Sequence, residues 1–497
     1  QGDWSSDVCS SDLNTSLPEG IKCCFVYNRT LDVSDEQAND EDHCEKILYY
    51  IPQNASISEK ARDVSIADAL IEFSGSFDSE SSIQVVRSDK YSYHFCRWEK
   101  DTWFVIAMRI YEYRDNKSEV STSFYSPSIV SDVMKGLYDM YRLVYDPMEP
   151  SLYKTDASGA VIVQELLKKR VALRKAKFLE ECLRSGEVQS NESNSEEIAS
   201  IPSLTSAIES LQSQSSLPSL RANLSQLLQQ HLLCFHWNQL HFLYSMDGFL
   251  QLPVDPQPAL AIHTLMTQLR VQVPALRSTS FLFNDYFLWS DLSLPAQRLL
   301  YRFLLAQRLF PAKDEDKMIL HLPGETALRL LRVRAGRCEL ALLVEPEQEV
   351  ESVRASVLQA VGETGQTIET ELMNTRNRLG KTDNSLVYFF HDGMTNLMES
   401  NVREPSFAVA AITPREMMAA VPDFMGFPMD CLFGKLRAAE GFVEAIERVR
   451  DNYWVYGCKQ EERMVLIMVK TPFVMKIDNV MSSVHHFVED VFKEMFT

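Results

Sequence analysis

The stretch at 91–113 (YSYHFCRWEKDTWFVIAMRIYEY) constrains the fold more than any other part of the chain. Aromatic and β-branched residues run up to a charged break at 99–101 and then resume, which is typical of two strands joined by a tight turn. The second arm, 103–110, is almost continuously apolar, as expected of a strand covered on both faces. The stretch therefore predicts a β-hairpin whose second strand is central in a sheet.

Similar hairpins recur along the chain, and the elements around them follow a comparable order. Two strands, at 21–27 and 46–51, and a helix precede the first hairpin. Further hairpins are predicted at 280–290, 327–345 and 386–399, accompanied by helical patterns. A chain of 497 residues also fits roughly three domains of about 150 residues. The sequence therefore predicts an α+β fold of three related units.

The predicted units span 20–275, 277–375 and 384–497. The first carries a long insertion at about 150–218, which from Gly186 onward is rich in Ser, Glu, Asn and Gln. Such a composition buries too little apolar surface to offset the entropy of ordering, so this part is predicted to be a disordered linker. Residues 1–13 (QGDWSSDVCSSDL) resemble the translation of a sequencing adaptor and are predicted to be non-native.

The charge and composition exclude several classes of protein. A formal net charge of -20 argues against nucleic-acid binding, because the phosphate backbone favours positively charged partners. No apolar run approaches the roughly 18 residues that span a bilayer, and no charged-then-apolar leader precedes the first strand. The 10 cysteines include no Cys-x-x-Cys pair, which is typical of reduced thiols. We therefore expect a soluble, cytoplasmic protein.

No motif in the sequence predicts catalysis, a metal site or a cofactor. The Gly-Lys-Thr at 380–382 lacks the glycine that a phosphate-binding loop needs five residues earlier, where Thr375 stands. His231, His236 and His241 are five residues apart, whereas metal-binding pairs on a helix are three or four apart. The sequence also has no nucleophile elbow, no His-Glu-x-x-His and no dinucleotide fingerprint. We expect a protein that acts by binding.

A helix predicted after residue 56 carries two apolar stripes. Ser56 and Glu59 form a capping-box pattern, which marks the start of the helix. Because the stripes lie roughly 130° apart around the helix, each stripe needs a different partner to pack against. The helix's own sheet is one partner, and the other is either another element of this chain or a second protein. The first stripe consists of Val64, Ala67 and Ile71, and the second of Ile66, Leu70, Phe73 and Phe77.

A basic cluster stands out in this otherwise acidic chain. Its six residues lie on a predicted helix with apolar residues between them. Each basic residue near an anionic leaflet contributes about 1 kcal/mol, so the cluster is a candidate membrane-surface site. The alternative is a solvated helix face beside a flexible loop. The cluster consists of Lys168, Lys169, Arg170, Arg174, Lys175 and Lys177.

Four stretches of the chain resemble a known family. They are KILYYIP at 46–52, DTWFVIAMRI at 101–110, FLFNDYFLWSDL at 281–292 and YWVYGCKQEERMVLIMV at 453–469. In these the chain is similar to the Ccz-type subunits of the Mon–Ccz complexes, a tri-longin family, from the first strand to the last helix. The adaptor-like start and the insertion at about 150–218 depart from the family pattern.

The resemblance implies three longin domains, each a mainly antiparallel five-stranded sheet packed by helices. It also implies a role as one subunit of a guanine-nucleotide exchange factor. The expected partners are a Mon-type longin subunit and a Rab-seven-type GTPase. The expected location is peripheral, on late endosomes, vacuoles or lysosomes, in membrane fusion and autophagy. Ile66, Leu70, Phe73 and Phe77 are then candidates for the partner or Rab interface.

Two alternatives remain open at this point. One is the related subunit of the BLOC-type exchange complex, which serves Rabs of lysosome-related organelles. The other is a longin-type trafficking scaffold that tethers partners without exchange activity. The identity of the partner subunit distinguishes a Ccz-type subunit from the first alternative. A nucleotide-release assay distinguishes an exchange factor from the second.

Overall fold

The computed structural model of the 497-residue chain describes most of the sequence outside its first 19 residues. The described residues are 20–31, 40–76, 84–110, 113–115, 118–120, 127–156, 160–185, 192–233, 248–250, 252, 254–284, 286–309, 318–379, 386–395, 397–400, 426–450, 452–471 and 475–492.

The predicted hairpin is confirmed and forms the middle of the first sheet. Its turn has Asp101 at a φ of 60°, a backbone region that Asp adopts more readily than most residues. The second arm pairs with strands on both sides and is buried at every position except its last. The five antiparallel strands follow the order β2-β1-β5-β4-β3. They are β1 (Ile21–Asn28), β2 (Ile47–Ile51), β3 (Val85–Arg87), β4 (Tyr91–Glu99) and β5 (Thr102–Arg109).

Two helices lie between strands of the first sheet in the sequence, and a small hairpin and further helices follow that sheet. A short helix, α1 (Asp40–Cys44), and the long helix α2 (Ile57–Gly75) lie between β2 and its neighbours in sequence. The small hairpin pairs β6 (Tyr113–Asp115) with β7 (Ser118–Val120). The helices that follow are α3 (Pro127–Val144), α4 (Met148–Leu152), α5 (Ile162–Ser185), α6 (Glu192–Ala199), α7 (Ile201–Gln214) and α8 (Leu217–Leu233).

The prediction of a disordered linker after Gly186 was wrong for 192–214. This stretch contains α6 and α7, and both helices pack against α5. Leu204, Ile208 and Leu211 are spaced four and three residues apart, which places them on one helical face, and Ile208 is buried. Composition alone misses this pattern because Ser, Gln and Glu are tolerated in a helix once tertiary packing stabilises its apolar face.

The second sheet has the same topology as the first, with the order β10-β9-β13-β12-β11. Its hairpins turn at Asn284 and Gly336, both at positive φ, as predicted for the hairpins at 280–290 and 327–345. The strands are β9 (Leu276–Phe283), β10 (Tyr286–Ser290), β11 (Ile319–Leu320), β12 (Leu328–Ala335) and β13 (Cys338–Val344). The helices are α9 (Pro256–Gln272), α10 (Leu294–Leu309) and α11 (Val350–Leu379).

The third sheet repeats the topology and adds a sixth strand, β8 (Phe249–Leu250), parallel to β15. Its buried face packs on Val480 and Val484 of the last helix. The strands are β14 (Leu386–Asp392), β15 (Leu397–Ser400), β16 (Val443–Arg450), β17 (Tyr453–Gln460) and β18 (Arg463–Lys470), and the helices are α12 (Gly426–Ala438) and α13 (Ile477–Phe492).

Two five-stranded antiparallel sheets, and a third sheet with the same order of five antiparallel strands plus the parallel strand β8, confirm the predicted α+β fold. The chain divides into two compact units. One comprises residues 1–121 and 147–233 and contains the first sheet, and the other comprises 122–146 and 234–497 and contains the second and third sheets. The domain boundaries at 20–275, 277–375 and 384–497 stay predictions.

Candidate partner-binding surface

Helix α2 begins at the predicted capping box. The Ser56 Oγ accepts a hydrogen bond from the Glu59 backbone N–H at 3.2 Å, and the Ser56 N–H donates to Glu59 Oε2 at 2.9 Å. These two bonds satisfy backbone donors that have no partner within the helix, which fixes where the helix starts. The Ser56 N–H and the Ser56 hydroxyl both donate to Glu59 Oε2 at 2.9 Å, and these two bonds hold the pKa of Glu59 below its ordinary value.

One stripe of α2 packs on the first sheet, as predicted. Val64, Ala67 and Ile71 are buried in a single cluster with aromatic and aliphatic residues from the strands. The sheet contributes side chains from β1, β4 and β5, including Phe25 and Val105. Both arms of the central hairpin therefore support this helix.

A buried carboxylate attaches the middle of α2 to the sheet. Asp63 is 1% exposed and accepts hydrogen bonds from Lys22 Nζ at 2.7 Å, Tyr50 Oη at 2.9 Å and Cys23 Sγ at 3.4 Å. Burial, together with the neighbouring charge of Asp63, raises the pKa of the Cys23 thiol to about 12. Burial, the largest single effect, lowers the pKa of Lys22, but the hydrogen bond to Asp63 and the neighbouring negative charges together outweigh it, so the net shift is upward.

A second carboxylate attaches α2 one turn and a half further on. Asp68 accepts a hydrogen bond from Arg29 Nε at 2.6 Å and another from Lys46 Nζ at 3.0 Å. Asp63 and Asp68 thus pair with cations at both ends of β1 and beside β2. Sequence reasoning missed both residues, although acids flanking a buried helical stripe were visible in the sequence.

The other stripe of α2 is only partly exposed where the structure describes it. The side chains of Phe73 and Ile66 are 65% and 36% exposed. Leu70 is half-buried and packs against the core cluster of the first sheet, so it belongs partly to the core. Phe77 lies outside the described residues. The carboxylate anchors fix the rotation of the helix, and this rotation directs Ile66 and Phe73 toward solvent.

The six basic residues of α5 do not share one environment. Arg170 pairs with Glu45 at 3.4 Å, and Arg174 pairs with both Glu45 at 3.3 Å and Glu41 at 3.5 Å. Arg221 of α8 also pairs with Glu45, at 3.5 Å. These contacts hold the two arginines of α5 against the region around α1.

The four lysines of the same cluster are more accessible as a group. Lys168 and Lys177 are exposed, whereas Lys169 and Lys175 are half-buried. Lys168 forms an ion pair with Glu165 at 3.0 Å. Phe178, next to Lys177, is 67% exposed. The candidate membrane surface of α5 stays a prediction, and Lys168 and Lys177 are its most exposed members.

The described residues contain no arrangement suited to metal chemistry or disulfide bonding. Within those ranges no group of three or more His, Cys, Asp and Glu side chains is placed to hold a metal ion. None of the eight cysteines in the described part of the chain forms a disulfide bond. No described helix is long and apolar enough to cross a membrane.

The first sheet, α2 and α3 match a family of known domains. Residues 21–146 match the model described as the first longin domain of INTU, CCZ1 and HPS4. This part of the chain is therefore similar to the first longin domain of these proteins. The matched residues include the whole candidate surface on α2.

The chain is also similar to several curated relatives. One is a vacuolar fusion protein CCZ1 homolog from Nematostella vectensis, 22% identical over 60% of this chain and 52% of that protein. Others come from Tetraodon nigroviridis, with 21% identity over 59% and 49%, and Xenopus laevis, with 20% identity over 59% and 50%. The matches span about half the length of these relatives. They confirm the resemblance to Ccz-type proteins.

Proposed function

We propose that this chain is one subunit of a heterodimeric guanine-nucleotide exchange factor. Its partner is a Mon-type longin subunit, and its target is a Rab-seven-type GTPase at late endosomes, vacuoles or lysosomes. The function is trafficking and fusion, including autophagy. The observation that carries the proposal is the exposed pair Ile66 and Phe73 on an anchored helix of a longin domain similar to CCZ1 homologs.

A binding surface is sufficient for this activity. Rab GTPases hold nucleotide through phosphate and magnesium contacts, and exchange requires a protein that prefers the nucleotide-poor conformation. Shifting such an equilibrium from 1:99 to 99:1 takes about 5.5 kcal/mol of differential binding. This differential binding requires no nucleophile, metal or cofactor on the exchange factor. A rigid helix with exposed apolar side chains suits that role, because little ordering entropy is lost on binding.

The proposal is tested by nucleotide release from a small Rab panel. The complex of this chain with its Mon-type partner is mixed with Rabs loaded with fluorescent GDP. We expect Ile66→Asp and Phe73→Asp to weaken heterodimer formation or slow release by at least tenfold, since a charge would be desolvated in the interface. Phe178→Asp is the matched control, because Phe178 is equally exposed on another helix. Variants at Ile66 and Phe73 that keep both the complex and the wild-type rate would contradict the proposed surface.

A BLOC-type exchange subunit is the second candidate function. The matching family model covers three groups of proteins and does not separate them. A pull-down that identifies the partner subunit decides between the two. If the purified pair releases nucleotide from none of the Rabs in the panel, a longin-type scaffold is favoured instead.

A further inference from the structure

A cavity of about 490 Å³ lies in the unit that contains the second sheet. Its walls come from α3, from α10 and from the segment 321–323 that follows β11. The polar side chains that line it are Tyr138, Asp139, Arg142, Arg298, Arg302 and His321. None of these belongs to the candidate surface on α2.

Helical spacing explains why these side chains converge. Tyr138 and Arg142 are four residues apart on α3, and Arg298 and Arg302 are four residues apart on α10, so each pair lies on one face of its helix. The third wall is held by a backbone hydrogen bond of 2.8 Å from the His321 N–H to the Leu143 carbonyl. The cavity is therefore formed by two helices and a segment hydrogen-bonded to the end of one of them.

The cavity concentrates positive charge in an acidic protein. Among the described residues that line it, three carry guanidinium groups and one, Asp139, carries a carboxylate, whereas the whole chain has a formal charge of -20. The Nε of Arg142 is buried and makes no hydrogen bond to any described residue, while its Nη1 lies 3.5 Å from Tyr138 Oη. Buried donors without an acceptor are rare in folded proteins, and an oxygen atom of a bound ligand would satisfy this one.

We propose that this cavity binds a phosphate ester. Guanidinium groups present planar pairs of donors that match phosphate oxygens, and several of them together favour a group that carries nearly two negative charges at neutral pH. The volume lies in the range of small-molecule sites and fits a phosphorylated sugar or inositol. The ester is either free in solution or the headgroup of a lipid, since both present the same chemistry.

Calorimetry on the full chain with inositol trisphosphate and inorganic pyrophosphate tests the site. Wild-type protein is expected to bind, and Arg298→Ala combined with Arg302→Ala is expected to weaken the Kd by at least tenfold through the loss of two charge-assisted donors. Arg298→Lys keeps the charge but loses the planar pair of donors, so it is expected to bind at an intermediate Kd and remains informative if the double variant does not fold. Arg184→Ala is the control, because it removes the same charge from a side chain 74% exposed on α5.

A vesicle arm identifies the source of the phosphate. Phosphatidylcholine vesicles with and without phosphatidylinositol phosphate are sedimented with the protein. Binding to the soluble probes without recruitment to either vesicle identifies a free ester. Recruitment only to the phosphorylated vesicles, lost in the Arg298→Ala and Arg302→Ala variant, identifies a lipid headgroup. Folded wild-type protein that binds neither probe nor vesicle, or an Arg184→Ala variant that loses binding equally, would overturn the proposal.

Discussion

At the scale of single residues, the first domain depends on polar groups that are buried together with their partners. Asp63 carries this role on α2, because three donors from β1 and β2 meet its two oxygens. Removing one member of such a buried cluster leaves the others desolvated and unpaired. The resulting loss of stability is larger than the net stabilisation that the intact cluster provides. This carboxylate therefore fixes the rotation of the helix and, with it, which side chains reach solvent.

His94 on β4 gives the first domain a pH dependence that can be measured. Burial, with a smaller effect from the charge of Arg87, lowers the pKa of His94 from its ordinary 6.5 to about 4, and its Nε2 lies 3.1 Å from Ser92 Oγ. The unfolded chain binds the proton more readily than the folded one. Stability is therefore full above pH 6.5 and is lost as the pH falls from 6.5 toward 4, by an amount on the order of 3 kcal/mol.

The variant His94→Gln checks this pH dependence. Two measurements are compared across that pH range: urea unfolding of the full chain, and hydrogen exchange of the β4 and β5 amides. The wild-type protein is expected to lose protection in these strands as the pH falls, and the variant is expected to lose much less. Parallel losses in both proteins would show that another group titrates.

At the scale of elements, α5 combines structural arginines with accessible lysines. Arg170 and Arg174 pair with Glu45 and Glu41, whereas Lys168 and Lys177 are exposed. Charge reversal is expected to act differently on the two sets. Reversal of the arginines places like charges together in half-buried positions, while reversal of exposed lysines changes stability little.

Two multiple variants separate these roles of α5. Replacing Arg170 and Arg174 by Glu is expected to lower the thermal midpoint by several degrees, with earlier proteolysis of α5. Replacing the exposed Lys168 and Lys177 by Glu is expected to leave the midpoint nearly unchanged and to weaken sedimentation with anionic liposomes. Unchanged liposome binding in the lysine variant would exclude α5 as the membrane-contacting element.

At the scale of the whole molecule, the short strand β8 connects two sheets of the larger unit. Its backbone pairs with β15 of the third sheet. The centroid of the Phe249 ring lies 5.0 Å from that of Phe287 and 6.3 Å from that of Tyr301. Phe287 belongs to β10 of the second sheet, and Tyr301 belongs to α10. Phe249 therefore makes an apolar contact that joins the two sheets. Some strands of these sheets are more than 100 residues apart along the chain.

The variant Phe249→Ala tests this connection. Truncating a buried Phe costs about 3–5 kcal/mol where the site cannot collapse, and Phe249 is 3% exposed. We expect the variant to unfold in two steps instead of one within this unit, and to be cut by protease between α8 and α9. Leu260→Ala on α9 is the control, since that side chain is 65% exposed. A single cooperative transition with an unchanged midpoint would contradict the role of β8.

The local sequence pattern was sufficient to predict the elements around the main hairpin. The apolar arm at 103–110 predicted a central strand, and Ser56 with Glu59 predicted the start of α2. Hairpins at Asn284 and Gly336 were also predictable, because each turn requires positive φ at a residue that tolerates it. These features depend on interactions between residues close in sequence.

Features that join distant segments were not predictable in this way. The sequence determined two apolar stripes on α2, but only the tertiary structure decided that Asp63 meets Lys22 and Tyr50 and that Phe73 stays exposed. It likewise decided that Arg170 and Arg174 pair with Glu45, and that Arg142 and Arg298 share a cavity. The physical reason is that periodicity reports which residues share a face, whereas charge pairing and burial depend on which other segment of the chain packs against that face.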